Sequence, residues 1–396
     1  MTTTFDIAMR AAAAVALSVA FVAPAPAMAS APAAVTAVAG YATSPHFALP
    51  QSSGPFAVGR DVLHLVDRSR RDQWVPANHR ELMVSMFYPA VARPGRAAPY
   101  LTTTEARLFL EDRQLAGVIA PEALSATRTD ALLHARPRAG RYPLVVLSPG
   151  FTLHRHTLTH LAEELASRGY LVAVIDHAYE SSGTAFPGGR VLTCTACEAA
   201  EVYADVATGR ADDVTFVLDR LTGARPAWRH ARLIDRTRIG MAGHSIGGNA
   251  AAAAMAADSR VRAGINMDGT FFAPVPEDGL AGRPFLMLGA PSHVPGATDE
   301  SWDRDWQRLN GWKRWLTVTG TGHLDFSDTA VLADQAGLPD DGSPLPGDRT
   351  AQLVREYVNA FFDLHLRGIP QPLLHGPAAD NPEVVFHQPG NGSLPG

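Results

Sequence analysis

Along the 396-residue chain, hydrophobic and polar positions switch between two spacings. Short, mainly apolar runs occur at Tyr142–Leu147, Tyr170–Ile175, Arg238–Ala242, Val261–Met267, Phe285–Leu288 and Trp315–Val318, the third and fourth interrupted by Arg238, Arg262 and Asn266. Runs of this length, bounded by Gly, Pro or charged residues, predict strands buried on both faces. Between them the apolar residues fall at helical spacing. Leu158, Leu161, Ala162 and Leu165 mark a helix ending at Gly169, and Val214, Val217, Leu218 and Leu221 mark one face of a helix over 206–221. Asn249–Ala257 is an alanine-rich helix, and Leu353, Val354, Tyr357, Val358 and Phe361 line a final helix over 350–366. Strands alternating with helices predict an α/β fold: a mostly parallel central sheet with helices on both faces and a ligand site at the carboxyl ends of the strands.

The flanks follow other patterns. Phe56–Val66 and Leu82–Tyr88 read as two strands around a charged loop at 67–80, which suits an antiparallel edge. Residues 101–140 carry mainly helical spacing, in Ala106, Leu108, Phe109 and Leu110 and again in Ala131, Leu132 and Leu133. They predict a helical insertion, either a cover for the site or a plain surface pair. Residues 176–200 read as a long loop, and the Pro- and Gly-rich 369–396 as a loose tail.

The amino terminus adds a location. Arg10, the apolar run Ala11–Ala23 and the small-residue site Ala27-Met28-Ala29 predict a signal peptide over 1–29 and secretion of the remainder. The apolar run is too short to span a bilayer. Residues 30–54, rich in Ala, Ser and Pro, predict a flexible mature terminus, and 55–368 a single large domain. A net charge of −5 argues against nucleic acid as a partner. Cys194 and Cys197 are the two cysteines; with no second pair to complete a zinc site, a local disulfide is expected.

The candidate chemistry centres on Gly243-His244-Ser245-Ile246-Gly247, a G-x-S-x-G placed between a predicted strand and a predicted helix. That context is a nucleophile elbow: a sharp turn that lifts the Ser245 hydroxyl off the sheet edge and points helix amides at developing negative charge. A serine needs a base, and the base an orienting acid. His323, in Thr319-Gly-Thr-Gly-His323 just past the last core strand, is the candidate base; His293 and His365 are less well placed. Two sources of the acid stay open. Asp268 ends the strand after the elbow helix, and Gly269 allows a sharp turn there; Asp299 and Glu300 lie in a long loop after the next strand. The immediate strand end favours Asp268. Oxyanion amides would come from Ile246 and from Phe151 in Ser148-Pro149-Gly150-Phe151, where Pro149 has no N–H to give. No metal or organic cofactor is expected. His154, His156 and His160 read as a polar rim rather than a zinc set, and Asp212 and Asp213 as a solvated helix face.

Together, Pro143-Leu-Val-Val-Leu-Ser-Pro-Gly-Phe151, Gly243-His-Ser-Ile-Gly-Gly248, Asn266-Met-Asp268 and Gly320-Thr-Gly-His323 resemble the secreted platelet-activating-factor acetylhydrolases and their bacterial relatives. The resemblance covers roughly 55–366 and is most particular in the acid directly after the elbow's helix. It departs at Pro149, where that family often has His. It implies an α/β-hydrolase fold, a Ser245–Asp268–His323 triad, oxyanion amides from Phe151 and Ile246, and a short acyl group on a phospholipid. The partner is then a small ester or lipid, with transient contact to a lipid surface. The Ser-Pro-Gly-Phe form also resembles cutinase-like polyester hydrolases, which carry their acid after the next strand; a polyester hydrolase or a lipase is the alternative. A non-catalytic binding protein of the same fold would be expected to have lost a triad member. Phe151, Thr270, Phe271, Phe272, Trp302 and Trp306 are candidates for walls of a shallow acyl site.

Overall fold

The computed structural model describes residues 46–199, 203–338 and 343–388. The signal peptide expected at 1–29, most of the 30–54 terminus and the last residues of the tail therefore lie outside the described residues. The strands are β1 (Ala57–Arg71), β2 (His79–Ala90), β3 (Leu132–Leu133), β4 (Tyr142–Ser148), β5 (Leu171–His177), β6 (Thr184–Phe186), β7 (Arg190–Leu192), β8 (Ile234–His244), β9 (Val261–Met267), β10 (Phe285–Gly289), β11 (Lys313–Val318) and β12 (Val384–His387). The helices are α1 (Thr103–Asp112), α2 (Pro121–Ser125), α3 (Thr159–Ser167), α4 (Ala196–Ala199), α5 (Tyr203–Thr222), α6 (Ile246–Ala257), α7 (Ser301–Arg308), α8 (Thr329–Gln335) and α9 (Gly347–Arg367).

Ten strands form one sheet in the order β12-β11-β10-β9-β8-β4-β5-β2-β1-β3. From β5 to β11 neighbouring strands are parallel; β1, β2 and β12 join antiparallel. This is the predicted α/β fold, with β8 and its elbow near the middle. Alternation along each strand sorts the core into two layers. Leu144 and Val146 of β4 face the layer containing α5 and α6, whereas Val145 and Leu147 face the layer containing α3 and α9. The alanines of α6 let that helix lie close on the sheet, with Ala250, Ala251 and Ala254 buried.

Several flanks depart from the sequence reading. The edge strands run further than expected, reaching Arg71 and starting again at His79. Charged side chains extend them because those charges are paired inside. The fully buried Arg80 reaches Asp72, Glu180 and Asp213, and Arg70 also reaches Asp213. The 101–140 insertion is less helical than predicted. Leu132 and Leu133 form β3 and pair with Gly59 and Arg60 of β1. The 176–200 loop contains the β6–β7 hairpin and α4, and Cys194 and Cys197 form a disulfide. Phe47 and Leu49, assigned to the flexible terminus, are buried against Tyr100, Leu110 and Ile119. The tail is not loose at 384–387, where β12 pairs with β11 and Val384 and Phe386 join the core. Four residues are too few to stand out as a strand among prolines and glycines.

Candidate active site

The elbow is built by close backbone approach. A Cβ on Gly243 would lie 2.1 Å from the Gly247 carbonyl, and one on Gly247 would lie 2.1 Å from the Ser148 carbonyl oxygen, so neither position accepts a side chain. Between them Ser245 adopts φ 55° and ψ −129°, a strained conformation for a residue with a Cβ. Its N–H donates to the Met267 carbonyl at 2.8 Å, which ties the turn to the end of β9. Its side chain makes no capping bond to α6, which leaves the hydroxyl for another partner.

That partner is His323. Its Nε2 lies 2.9 Å from Ser245 Oγ, and its Nδ1 lies 2.6 Å from Asp268 Oδ2. The structure thus brings together the three side chains singled out from the sequence. The histidine ring is half exposed, whereas Asp268 is fully buried. Burial opposes ionisation of Asp268, but hydrogen bonds from His293 and His323 outweigh it and hold its pKa below the ordinary aspartate value. Asp268 also accepts the Ala290 N–H at 2.7 Å, so the carboxylate is fixed from both sides.

Asp299, the other candidate acid, does not touch His323. It belongs to a second tier. His293 Nδ1 lies 2.7 Å from Asp268 Oδ1, and His293 Nε2 lies 3.0 Å from Asp299 Oδ2. Asp299 in turn accepts from Thr270 Oγ1 and from the Ser301 amide. His293 stacks on Trp302, with ring centroids 4.6 Å apart. Burial works against its charge, yet the two carboxylates push its pKa up to about 9. A line of groups therefore runs Ser245–His323–Asp268–His293–Asp299. Sequence order showed both acids and both histidines; that they join in series through His293 could not be read from spacing. Glu300 only precedes α7, at its amino-terminal cap.

The linkage of His293 to stability has a definite sign. A histidine with a raised folded-state pKa stabilises most below its unfolded value, near 6.5, and loses that contribution as pH rises through about 9. His293→Gln is therefore expected to be less stable than the parent at pH 6, with the gap narrowing by pH 9.5, in urea unfolding at the two pH values. A gap that stays constant would remove the imidazolium from this account.

A second missed residue is His244, the variable position of the elbow motif. It is fully buried, lies 2.7 Å through Nε2 from the His323 carbonyl, and packs on the His323 ring at 4.9 Å. Burial first, then the neighbouring His323, pushes its pKa down to about 3, so it is neutral and donates to that carbonyl. It props the loop that carries His323.

The loop at 148–152 is anchored with equal care. Arg210, buried on α5, donates to the Pro149 carbonyl and to Glu180, and Arg113 donates to Thr152 Oγ1 at 2.6 Å. Phe151 and Ile246 meet in a small apolar cluster with Tyr203 and Ala273, and Tyr203 packs on Phe272 at 4.9 Å. Phe272 is exposed and Phe151 partly so. The other aromatics proposed as walls are not part of this patch. Phe271, Trp302 and Trp306 are core residues around Trp315, and α7, read as loop, buries its two tryptophans there.

Two side readings change. His154, His156 and His160 form no polar rim; all three are buried, and burial pushes His160 down to about 4. Among the described residues no group of side chains is arranged to hold a metal ion. Asp212 is exposed as expected, but Asp213 is fully buried, bound by Arg80, Arg70 and His177. Burial alone would raise its pKa; Arg80 and His177 reverse that and lower it.

The family model for platelet-activating factor acetylhydrolase, isoform II, matches residues 41–188 and 220–336. A fungal protein of Arthroderma benhamiae named "Probable 1-alkyl-2-acetylglycerophosphocholine esterase" is 31% identical over 378 residues, covering 86% of this chain and 94% of that protein. The platelet-activating factor acetylhydrolase of Cavia porcellus is 20% identical over 323 residues, covering 72% of this chain and 69% of that protein. Among solved structures, a ferulic acid esterase from Streptomyces cinnamoneus superposes with a TM-score of 0.78 at 44% identity, over 87% of this chain and 100% of that chain. The chain has the α/β-hydrolase fold, belongs to the platelet-activating factor acetylhydrolase family, and is a carboxylic-ester hydrolase.

Proposed function

We propose that the protein is a secreted serine esterase that removes short acyl groups, with acetylated phospholipids as its substrate class. The observation that carries the chemistry is the pair of hydrogen bonds joining Ser245, His323 and Asp268. In this reading Ser245 Oγ attacks the ester carbonyl while His323 Nε2 takes its proton. The tetrahedral oxyanion rests on the amides of Phe151 and Ile246. Collapse breaks the acyl carbon–oxygen bond, and His323 returns the proton to the departing alcohol. Water, activated by the same histidine, then releases the acid and restores Ser245.

The short-acyl part is supported by the patch of Phe151, Tyr203 and Phe272 beside Ile246, whose packed rings offer an aromatic wall next to the proposed oxyanion amides. The phospholipid part is supported by the names of the fungal and guinea-pig relatives. Secretion is supported by the leader-like pattern before Ser30 and by the Cys194–Cys197 disulfide, which persists in oxidising compartments. No helix among the described residues is long and apolar enough to cross a membrane.

A second reading has its own observation. The structural neighbour at 44% identity is named for ferulic acid, an aromatic acyl group, and the same ring surface could stack on it. One experiment separates the two. The kcat/KM of p-nitrophenyl esters from acetate to palmitate is measured beside an acetylated ether phospholipid and methyl ferulate. We expect acetate and butyrate to lead, with a graded fall along the series and cleavage of the phospholipid. Preference for ferulate would install the second reading. A rise towards palmitate with the phospholipid untouched would leave a lipase or polyester hydrolase.

A further inference from the structure

The hydrogen-bonded line from Ser245 to Asp299 leaves an apolar cavity of about 320 Å³ unexplained. That is within the range of small-ligand sites, roughly 300–1,000 Å³. The cavity lies between the insertion and α8. Leu110 and Leu115 wall it on one side, Ala333 and Leu338 on the other, and Leu324, directly after His323, lines it as well. Arg113 also lines it.

The side on which the cavity lies decides what it holds. In serine ester cleavage the histidine hands its proton to the leaving oxygen, so the departing alcohol sits against the imidazole. The carbonyl oxygen points instead towards the oxyanion amides. Phe151 and Ile246 belong to the patch shared with Tyr203 and do not line the cavity, whereas Leu324, the residue after His323, and α8 do. The residue next to the catalytic imidazole, and none of the Phe151–Ile246 patch, thus borders the cavity, which assigns it to the leaving group. Arg113 adds charge to it. Its Nη2 is held by Thr152 Oγ1 at 2.6 Å, next to Phe151, and its Nε has no hydrogen-bond partner, although Asp112 Oδ2 lies 3.3 Å away. The carboxylate on the cavity wall, Asp325, accepts from the Gly322 amide at 2.9 Å. Resting on the Ser245–His323 chemistry proposed above, we infer that this cavity binds the hydrocarbon chain of the leaving alcohol and that Arg113 pairs with an anionic group, such as a phosphodiester, carried by the same alcohol.

The test varies the alcohol and keeps the acyl group as acetyl. The kcat/KM ratio of octyl acetate to ethyl acetate is measured for the parent, Ala333→Trp and Leu115→Trp, after near-native thermal unfolding has shown that each variant folds. Both tryptophans should lower the ratio by roughly tenfold or more, because each fills the space of several methylenes. The two variants approach from opposite walls, so loss of fold in one leaves the other as the test. An unchanged ratio overturns the assignment. So does a shift in the acetate-to-butyrate preference of the p-nitrophenyl series at a constant octyl-to-ethyl ratio, which would make the cavity an acyl site. Arg113→Gln should lower the preference for an acetylated ether phospholipid over octyl acetate by about tenfold; no change removes Arg113 from the inference. If the parent cleaves octyl acetate in preference to ethyl acetate but not the phospholipid, the phospholipid reading fails and the cavity assignment stands. A chain inert to every acetate overturns both.

Discussion

Ser245→Ala is expected to lower kcat by about 10⁶-fold, since a serine acting with its histidine as one unit loses nearly all its catalysis when either is removed. The measurement is steady-state turnover of p-nitrophenyl acetate, paired with labelling by a fluorophosphonate probe, which should mark the parent protein at Ser245 and leave the variant unmarked. A parent that takes no label would be a binding protein of the same fold. The companion variant Ser245→Gly carries a second readout. Ser245 holds φ 55° and ψ −129° and makes no capping bond to α6. Backbone strain of this kind costs roughly 1–3 kcal/mol, and glycine avoids it. Ser245→Gly should therefore be inactive and melt higher than the parent. Lower stability in the glycine variant would mean that the turn is held by side-chain contacts rather than strained for the sake of the hydroxyl.

Asp268→Asn is expected to cost about 10⁴-fold in kcat, the effect of leaving the histidine in its wrong tautomer. The geometry says how. Ala290 N–H can only donate, and it points at Oδ1 together with His293. An asparagine must place its oxygen there, which turns its NH₂ towards His323 Nδ1. That nitrogen must then accept, so Nε2 carries the proton and faces Ser245 unable to take another. Asp299→Asn acts only through His293 and should cost tenfold to a hundredfold at most. Equal losses in the two variants, with both folded, would move the acid role to the outer carboxylate and favour the cutinase-like alternative.

Much of this was legible in the chain. The core strands at 142–147, 170–175 and 285–288 were marked by nearly unbroken apolar runs, because a strand buried on both faces has no polar side to confuse the period. The elbow was legible because Gly243 and Gly247 are required by backbone contacts that no side chain survives. Legibility failed where charge was buried. Asp213 beside Asp212 reads as solvated, and only the fold brings Arg80 from the edge strand to meet it. His293 failed in the same way: its partners lie 25 residues before it and 6 after it, and neither separation carries a period. The aromatics after Asp268 were misplaced in part because a loop is assumed by default wherever tryptophans alternate with charges, whereas Ser301–Arg308 turns both of its tryptophans to one buried face.

The pairing of Val384–His387 with Trp315–Val318 has a consequence for how the protein is handled. Trp315–Val318 belongs to the strand that leads to His323, and its outer edge is paired with that late segment, with His387 also 2.9 Å from Thr317. A chain cut before Val384 would present a row of open amides and carbonyls on an apolar strand, the kind of edge that recruits other chains and aggregates. For expression, a fusion partner or a protease site is better placed after His387 than anywhere between Gly368 and Val384, however dispensable that proline-rich stretch looks.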